Sequence, residues 1–259
     1  MDSKIYFVGA GPGDPELITK KGARLLSLAD RVIYTGSLIN PEILASVDEA
    51  CEIYDSSALT REAMVALMED GWNNGKRVVR LHTGDPGLYG AIQEQIDALE
   101  TKGIPVEIVP GISAYQGAMA ALKREFTLPG VTQTVILTRS GQRTPVPEKE
   151  RLRNLAKHES TLCIYLSVHM LDEVVSELIQ GGLAEDTPIA VIYKATWPEE
   201  QVVAGDLNTI VSKVQNAGIT KTALIVVGDV LTSSQYAPSY LYSQGFTHGF
   251  RMGENNDKD

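Results

Sequence analysis

"VGAGPGDPELITKKG", Val8 to Gly22, joins the apolar run "KIYF" to a segment whose apolar residues Leu17, Ile18, Leu25, Leu28 and Ala29 recur at helical spacing. A strand, a glycine-rich turn and a helix in that order open an α/β fold, and such turns are where α/β sheets receive ligands. The dinucleotide fingerprint G-x-G-x-x-G fits Gly9 and Gly11 but meets Asp14 where its third glycine belongs. Pro12 and Pro15 withdraw two N–H groups that a pyrophosphate would use. The next strand, "RVIYTGSL", offers Thr35, Gly36 and Ser37 but no carboxylate for a ribose, and no Gly-Lys-Ser/Thr follows the first turn. The turn therefore reads as a stiff corner, with Asp14 as cap and Pro15 at the first helical position, whose exposed backbone lies against a ligand.

Composition narrows the class further. A chain of 259 residues with 43% hydrophobic content can bury one large core or two smaller ones. No charge-free apolar run is long enough to span a bilayer, which predicts no membrane partner. The opening "MDSKIYFVGAG" enters a strand without a signal-peptide layout, so a cytoplasmic protein is expected. Cys51 and Cys163 are too few for a disulfide framework, and Cys163 reads as core within "TLCIYLS". His82, His158, His169 and His248 lack the spacing of metal ligands, and no protein metal site is expected. A net charge of -10 argues against a nucleic-acid partner but leaves room for an anionic small molecule met by local cations.

Along the chain, strand and helix patterns alternate through the first half, from "KIYFVGA" to "VEIVPG", which implies a mainly parallel sheet covered by helices. A second strand-to-helix turn, "HTGDPGLYG", follows "RVVRL". After Ser113 the pattern changes: strands are expected at "TVILTRSG", "TLCIYLS", "PIAVIYKA" and "ALIVVGDVL", with helices at "LDEVVSELIQ" and "LNTIVSKVQNAG" between them. The expected architecture is α/β, with two α/β lobes built on mainly parallel or mixed sheets and the active site in the cleft between them. The expected divisions are an N-terminal lobe over 1–112, a C-terminal lobe over 113–233, and a polar, partly disordered tail over 234–259.

Two Asp-Pro turns of one style, each at the end of a strand, point to a shared small-molecule pocket. The stretches "VGAGPGDPELITKKG", "RLHTGDPGLYG" and "IVPGISA" resemble the successive motifs of the tetrapyrrole methylase family, which transfers methyl groups from S-adenosylmethionine during corrinoid and sirohaem synthesis. "TLPGVTQTVILTRSGQRTPVPE", from Thr127, and "TPIAVIYKATWPEEQVV" resemble the branch that methylates C-11 of precorrin-4 or its cobalt form. The resemblance runs from about Lys4 to about Leu231 and implies a homodimer with S-adenosylmethionine as the only cofactor and a tetrapyrrole as the small-molecule substrate.

Carried over residue by residue, the family's donor-binding pattern falls on Pro12, Thr83, Gly84, Asp85, Leu88, Ser113 and Ala114, and in the second half on Leu166, Ala195, Thr222 and Ala223. Asp85 is expected to orient the donor, because an anion strongly attracting the sulfonium would favour the ground state over the transition state. It could equally serve as a helix cap. The substrate's carboxylates call for local cations and hydroxyls, for which Arg139 and Arg143 in "TRSGQRTPVP" lead, followed by Ser37, Lys194 and Thr196, with Tyr89 able to flank a macrocycle. Gly141 and Gln142 depart from the acidic residue and glycine that related sequences carry, and Gly36 replaces an aspartate of some relatives, so no role is carried onto these positions. The sequence singles out no general base. A methylase of another acceptor, a non-catalytic donor-binding protein and a nucleotide-dependent oxidoreductase remain alternatives.

Overall fold

The computed structural model describes residues 4–141 and 144–253. The chain groups into two compact units, Met1–Ala121 with Ile192–Gln201, and Leu122–Val191 with Val202–Asp259.

In the first unit the chain runs β1 (Ile5–Gly9), α1 (Lys20–Ser27), β2 (Arg31–Tyr34), α2 (Pro41–Leu44), β3 (Glu52–Asp55), α3 (Arg61–Asn73), β4 (Val78–His82), α4 (Gln93–Thr101), β5 (Val106–Val109) and α5 (Ala114–Leu122). The strands form one sheet in the order β3-β2-β4-β1-β5, with parallel pairing throughout. Alternate residues face opposite sides. Val8, Val32, Val79 and Leu81 pack with Leu25, Leu26 and Ile43 from α1 and α2. Ile5, Phe7, Ile33 and Val78 pack with Val65, Met68, Ile96 and Leu99 from α3 and α4. The connection after β1 thus crosses one face and the connection after β4 crosses the other, although the two strands are neighbours. That divergence is a topological switch point, and it lies between the loops that the sequence singles out.

The helix expected from Pro15 is divided. Asp14 does cap a turn with Pro15 at its first position, accepting from Glu16 N at 2.8 Å, but this is a single 3-10 turn, Pro15–Leu17. Thr19 then caps α1 anew through Gly22 N. A cap that satisfies local N–H groups competes with continuation of the preceding turn, and the sequence shows two such caps five residues apart.

The second unit carries β6 (Val135–Arg139), α6 (Leu152–Leu155), β7 (Thr161–Tyr165), α7 (Leu171–Gln180), β8 (Pro188–Tyr193), β9 (Gln201–Asp206), α8 (Ile210–Asn216) and β10 (Ala223–Val227). Its sheet has the order β6-β7-β10-β8-β9, with β6 parallel and β10 antiparallel to β7. The α/β class and the parallel and mixed sheets agree with the sequence. β9 was not expected, because an exposed edge strand reading "QVVAGD" lacks strong alternation. In the tail, residues 234–253 contain one 3-10 turn, Tyr240–Tyr242, and a bridge between His248 and Arg251. The disorder expected for the last residues falls on 254–259, outside the described residues.

Arg31 is the polar tie of the first sheet's far edge. Its guanidinium, 5% exposed, reaches Asp70 at 2.8 Å, Glu52 at 2.6 Å and the Leu67 carbonyl at 2.6 Å. Removing the whole side chain loses packing and bonds together, whereas methionine keeps the stem. Arg31→Ala is expected to lower the unfolding free energy by about 2–4 kcal/mol and Arg31→Met by less than about half of that, measured by urea denaturation.

Candidate active site: two Gly-Asp-Pro loops at a switch point

The two loops are paired backbone to backbone. Gly84 N donates to Gly11 O at 2.8 Å, and Gly11 N donates to Gly84 O at 3.3 Å. Ala10 N adds a bond to His82 O at 2.7 Å, which extends the β1–β4 ladder into the loops. The loop after β5 closes on the same spot. A Cβ on Gly9 would stand 2.6 Å from both Gly111 Cα and Gly84 O, and one on Gly111 would collide with Gly84 O. Gly84 itself has φ +62°, where a side chain is strained. Gly9 and Gly111 thus meet where no side chain fits, against the carbonyl of Gly84, whose own need for glycine is its left-handed backbone.

Asp85 locks this knot. One carboxylate oxygen accepts from Gly87 N at 2.8 Å and the other from Gly111 N at 2.9 Å. The side chain joins the β4 loop to the β5 loop, and α4 begins only at Gln93, so Asp85 does not cap that helix. Leu88 N closes the turn onto Asp85 O at 3.3 Å. Thr83 is exposed, Gly84 is buried and Asp85 is half-buried.

The first loop is gripped from three further directions. Trp197 Nε1 donates to Pro12 O at 3.0 Å, Asn40 Nδ2 donates to Gly13 O at 2.9 Å, and Asp14 N donates to Thr196 Oγ1 at 3.0 Å. The Trp197 ring covers Gly13 so closely that a Cβ there would overlap it. Pro12 packs on Gly117 of α5. With the N–H groups of Gly11 and Asp14 committed and none on Pro12 or Pro15, the loop keeps few of the donors that an anion cradle uses. It is a preformed wall.

Of the other expected residues in this unit, Ser113 is buried and Ala114 starts α5; Ser113 N donates to the Gln116 side chain at 2.8 Å, and Ser113 O accepts from Gln116 N at 3.0 Å. Ser37 is exposed in the 3-10 turn after β2, at the same end of the sheet. Tyr89 is exposed in the second loop. Ala195 is buried between Lys194 and Thr196. Lys194 Nζ bonds Glu199 at 2.9 Å and stands 4.6 Å from the Trp197 ring centre, while Thr196 N donates to Glu200 at 2.7 Å. The structure therefore brings Pro12, Gly84, Asp85 and Thr196 into one bonded assembly, and it adds Asn40, Gly111 and Trp197.

In the second unit Leu166 follows β7 and is 62% exposed. Thr222 and Ala223 stand at the start of β10, which pairs antiparallel to β7 with Ile225 opposite Ile164, so the ladder places Ala223 across from Leu166. Arg139, opposite Tyr165 in the β6–β7 ladder, lies at this same sheet end. Its guanidinium donates to three backbone carbonyls, those of Ser140 at 3.1 Å, Thr144 at 2.7 Å and Pro145 at 3.2 Å. Those bonds stiffen its own loop. Arg143 lies outside the described residues.

Backbone strain marks many of these positions. Eight described non-glycine residues have positive φ, and five of them are expected site residues: Tyr89 at 55°, Leu166 at 55°, Lys194 at 45°, Thr196 at 69° and Thr222 at 53°. A β-branched residue such as Thr196 or Thr222 is a strong outlier there. Each such residue costs about 1–3 kcal/mol and persists where surrounding structure over-determines it, as at ligand sites.

The matching family model is that of the Tetrapyrrole (Corrin/Porphyrin) Methylases, which covers residues 4–211. A cobalt-precorrin-4 C(11)-methyltransferase of Methanocaldococcus jannaschii is 54% identical over 248 residues, 96% of each chain. A precorrin-4 C(11)-methyltransferase of Pseudomonas aeruginosa is 46% identical over 96% of this chain and 99% of its own. Among solved structures, the X-ray structure of a cobalt precorrin-4 methyltransferase matches with TM-score 0.87 and 45% identity over 90% of this chain and 97% of that one. A Thermus thermophilus uroporphyrin-III C-methyltransferase complexed with S-adenosylhomocysteine matches with TM-score 0.74 and 29% identity over 88% and 93%.

The knot is sensitive to a single methyl group. Gly111→Ala is expected to lower the unfolding free energy by about 2–3 kcal/mol in urea titrations, because backbone on both sides must move. Gly103→Ala faces open space. With only left-handed backbone strain to bear, it is expected to cost about 1 kcal/mol. From the two loops, their switch point and the match across residues 4–211, the chain belongs to the tetrapyrrole (corrin/porphyrin) methylase family.

Proposed function

We propose that this protein is an S-adenosylmethionine-dependent C-methyltransferase of corrin biosynthesis that methylates C-11 of cobalt-precorrin-4 or precorrin-4. The observation that carries the reading is the interlocked pair of Gly-Asp-Pro loops in a chain 54% identical, over 96% of its length, to a cobalt-precorrin-4 C(11)-methyltransferase. The residues suit the donor. S-adenosylmethionine carries no phosphate, and the first loop has committed Gly11 N and Asp14 N, with no N–H on Pro12 or Pro15. When bound, it supplies an electrophilic methyl group on a sulfonium sulfur.

In-line methyl transfer depends mainly on holding the nucleophilic carbon and the methyl group in register. A rigid wall meets that demand. We assign donor binding in the first unit to Pro12, Thr83, Gly84, Asp85, Leu88, Ser113, Ala114 and Ala195, with Leu166, Thr222 and Ala223 as the second unit's ligand-facing positions. Asp85 orients this site by holding Gly87 N and Gly111 N, and a carboxylate engaged on both oxygens is not placed to act as a nucleophile. Ser37, Tyr89, Lys194 and Thr196 are assigned to the tetrapyrrole, together with Arg139 and Arg143. Arg139 supports the loop leading to Arg143 through its three carbonyl contacts. A cytoplasmic homodimer without nucleic-acid or membrane partners belongs to the same proposal. The net charge of -10 disfavours a nucleic-acid partner, and no helix among the described residues is long and apolar enough to cross a membrane.

Calorimetric titration with S-adenosylhomocysteine, with NADH and ATP as controls, tests the donor. Saturable binding of S-adenosylhomocysteine alone is expected, and NADH binding in its place would decide for an oxidoreductase. Asp85→Ala is expected to weaken that binding by at least about tenfold while the protein stays folded. Unchanged affinity would refute the assignment of Asp85.

A further inference from the structure

Beneath the second loop lies a buried polar group to which the proposed function assigns no role. β4 is buried along its whole length, and Arg80 and His82 are respectively 3% and 2% exposed. By strand alternation both share the face of Val78, under α3 and α4. Two contacts agree with that placement. Arg80 Nη2 lies 3.5 Å from Met64 Sδ of α3, and the His82 ring stacks on Phe7 with centroids 5.9 Å apart. Arg80 Nη1 donates to Ile33 O at 3.1 Å. No carboxylate among the described residues pairs with this guanidinium. Burial lowers its pKa only to about 10, so it remains charged at neutral pH.

Three buried polar atoms here have no hydrogen-bond partner: Arg80 Nε, His82 Nε2 and Thr35 Oγ1. They are neighbours by register. Ile33 stands beside Arg80 and Tyr34 beside Leu81, which puts Thr35 one step on, beside His82. On the other side of His82 is Gly9, which adds no side chain. Burial, and secondarily the charge of Arg80, press the His82 pKa down to about 3, so its imidazole is neutral and can place an N–H on Nε2. The set then offers three donors and one net positive charge within walls of Phe7, Ile33 and Met64. Gln95 Oε1 on α4, also buried and unpartnered, is an acceptor and suits an accompanying water.

A buried guanidinium without a counter-charge is costly, and clustered unsatisfied groups of this kind call for an explanation, which a bound ion supplies. We infer that Arg80, His82 and Thr35 form an internal binding site for a small desolvated monoanion of the halide class. One charge calls for one negative charge, and the apolar walls disfavour a large, hydrated polyanion. The site stands on this geometry alone. Its consequence rests on the proposed function: the anion neutralises a cation beneath Thr83–Asp85, a loop assigned to a sulfonium donor, and so favours donor binding.

The test uses the full chain. Crystals grown in sodium bromide are expected to show an anomalous peak at hydrogen-bond distance from Arg80 Nε and Thr35 Oγ1. Titration with bromide, against sodium glutamate at equal ionic strength, is expected to raise Tm saturably by about 2–4 °C. The gain should vanish in Arg80→Met, and Thr35→Val should need about fivefold more bromide. If either variant fails to fold, the wild-type map and titration decide. No peak, or ordinary water at the site, overturns the inference. A peak without a saturable Tm gain marks an adventitious ion only and overturns it as well.

Discussion

The close approach of Gly9, Gly84 and Gly111 is the constraint on which the rest of the site depends. The strand ends reach backbone contact because Gly9 and Gly111 carry no Cβ at the meeting point and Gly84 adopts left-handed backbone beside them. Once they meet, Gly11 and Gly84 exchange hydrogen bonds, and Asp85 reaches across to Gly111 N. The consequence is chemical as well as structural. A loop with Gly11 N and Asp14 N already bonded and prolines at 12 and 15 has little to offer a phosphate, and it presents a fixed surface instead.

The same constraint explains why a short strap far along the chain belongs with the first unit. Ile192–Gln201 groups with it because Thr196 and Trp197 bond the first loop, and the small side of Gly13 admits the indole ring. Strain at Lys194 and Thr196 is held by these bonds together with the Glu199 and Glu200 contacts. Rigidity at this spot suits a reaction governed by alignment, in which a displacement of about an ångström is costly.

Much of this was legible in the sequence. The parallel first sheet followed from alternating strand and helix patterns, and the two Asp-Pro turns marked the strand ends that prove to be neighbours. The dinucleotide spacing fails at Asp14, and in the structure Gly11 N and Asp14 N are both bonded within the protein. Long-range partners were less legible. Nothing local to Asn40, Gly111 or Trp197 reports that each closes on a loop up to 185 residues away. That Arg139 also bonds the carbonyls of its own loop could not be read from residue type and position. β9 was missed because edge strands with one solvated side lack a strong apolar pattern. The positive-φ residues were equally invisible, since strain is imposed by tertiary contacts and not by local preference.

These elements converge on one claim, that the preformed loops serve methyl transfer to a corrin precursor. The most direct measurement is carbon-13 NMR of the product formed from cobalt-precorrin-4 and S-adenosylmethionine labelled in its methyl group. The account predicts a single labelled methyl attached at C-11 of the macrocycle. A label at any other ring carbon, or no transfer by a folded protein that binds S-adenosylhomocysteine, would contradict it.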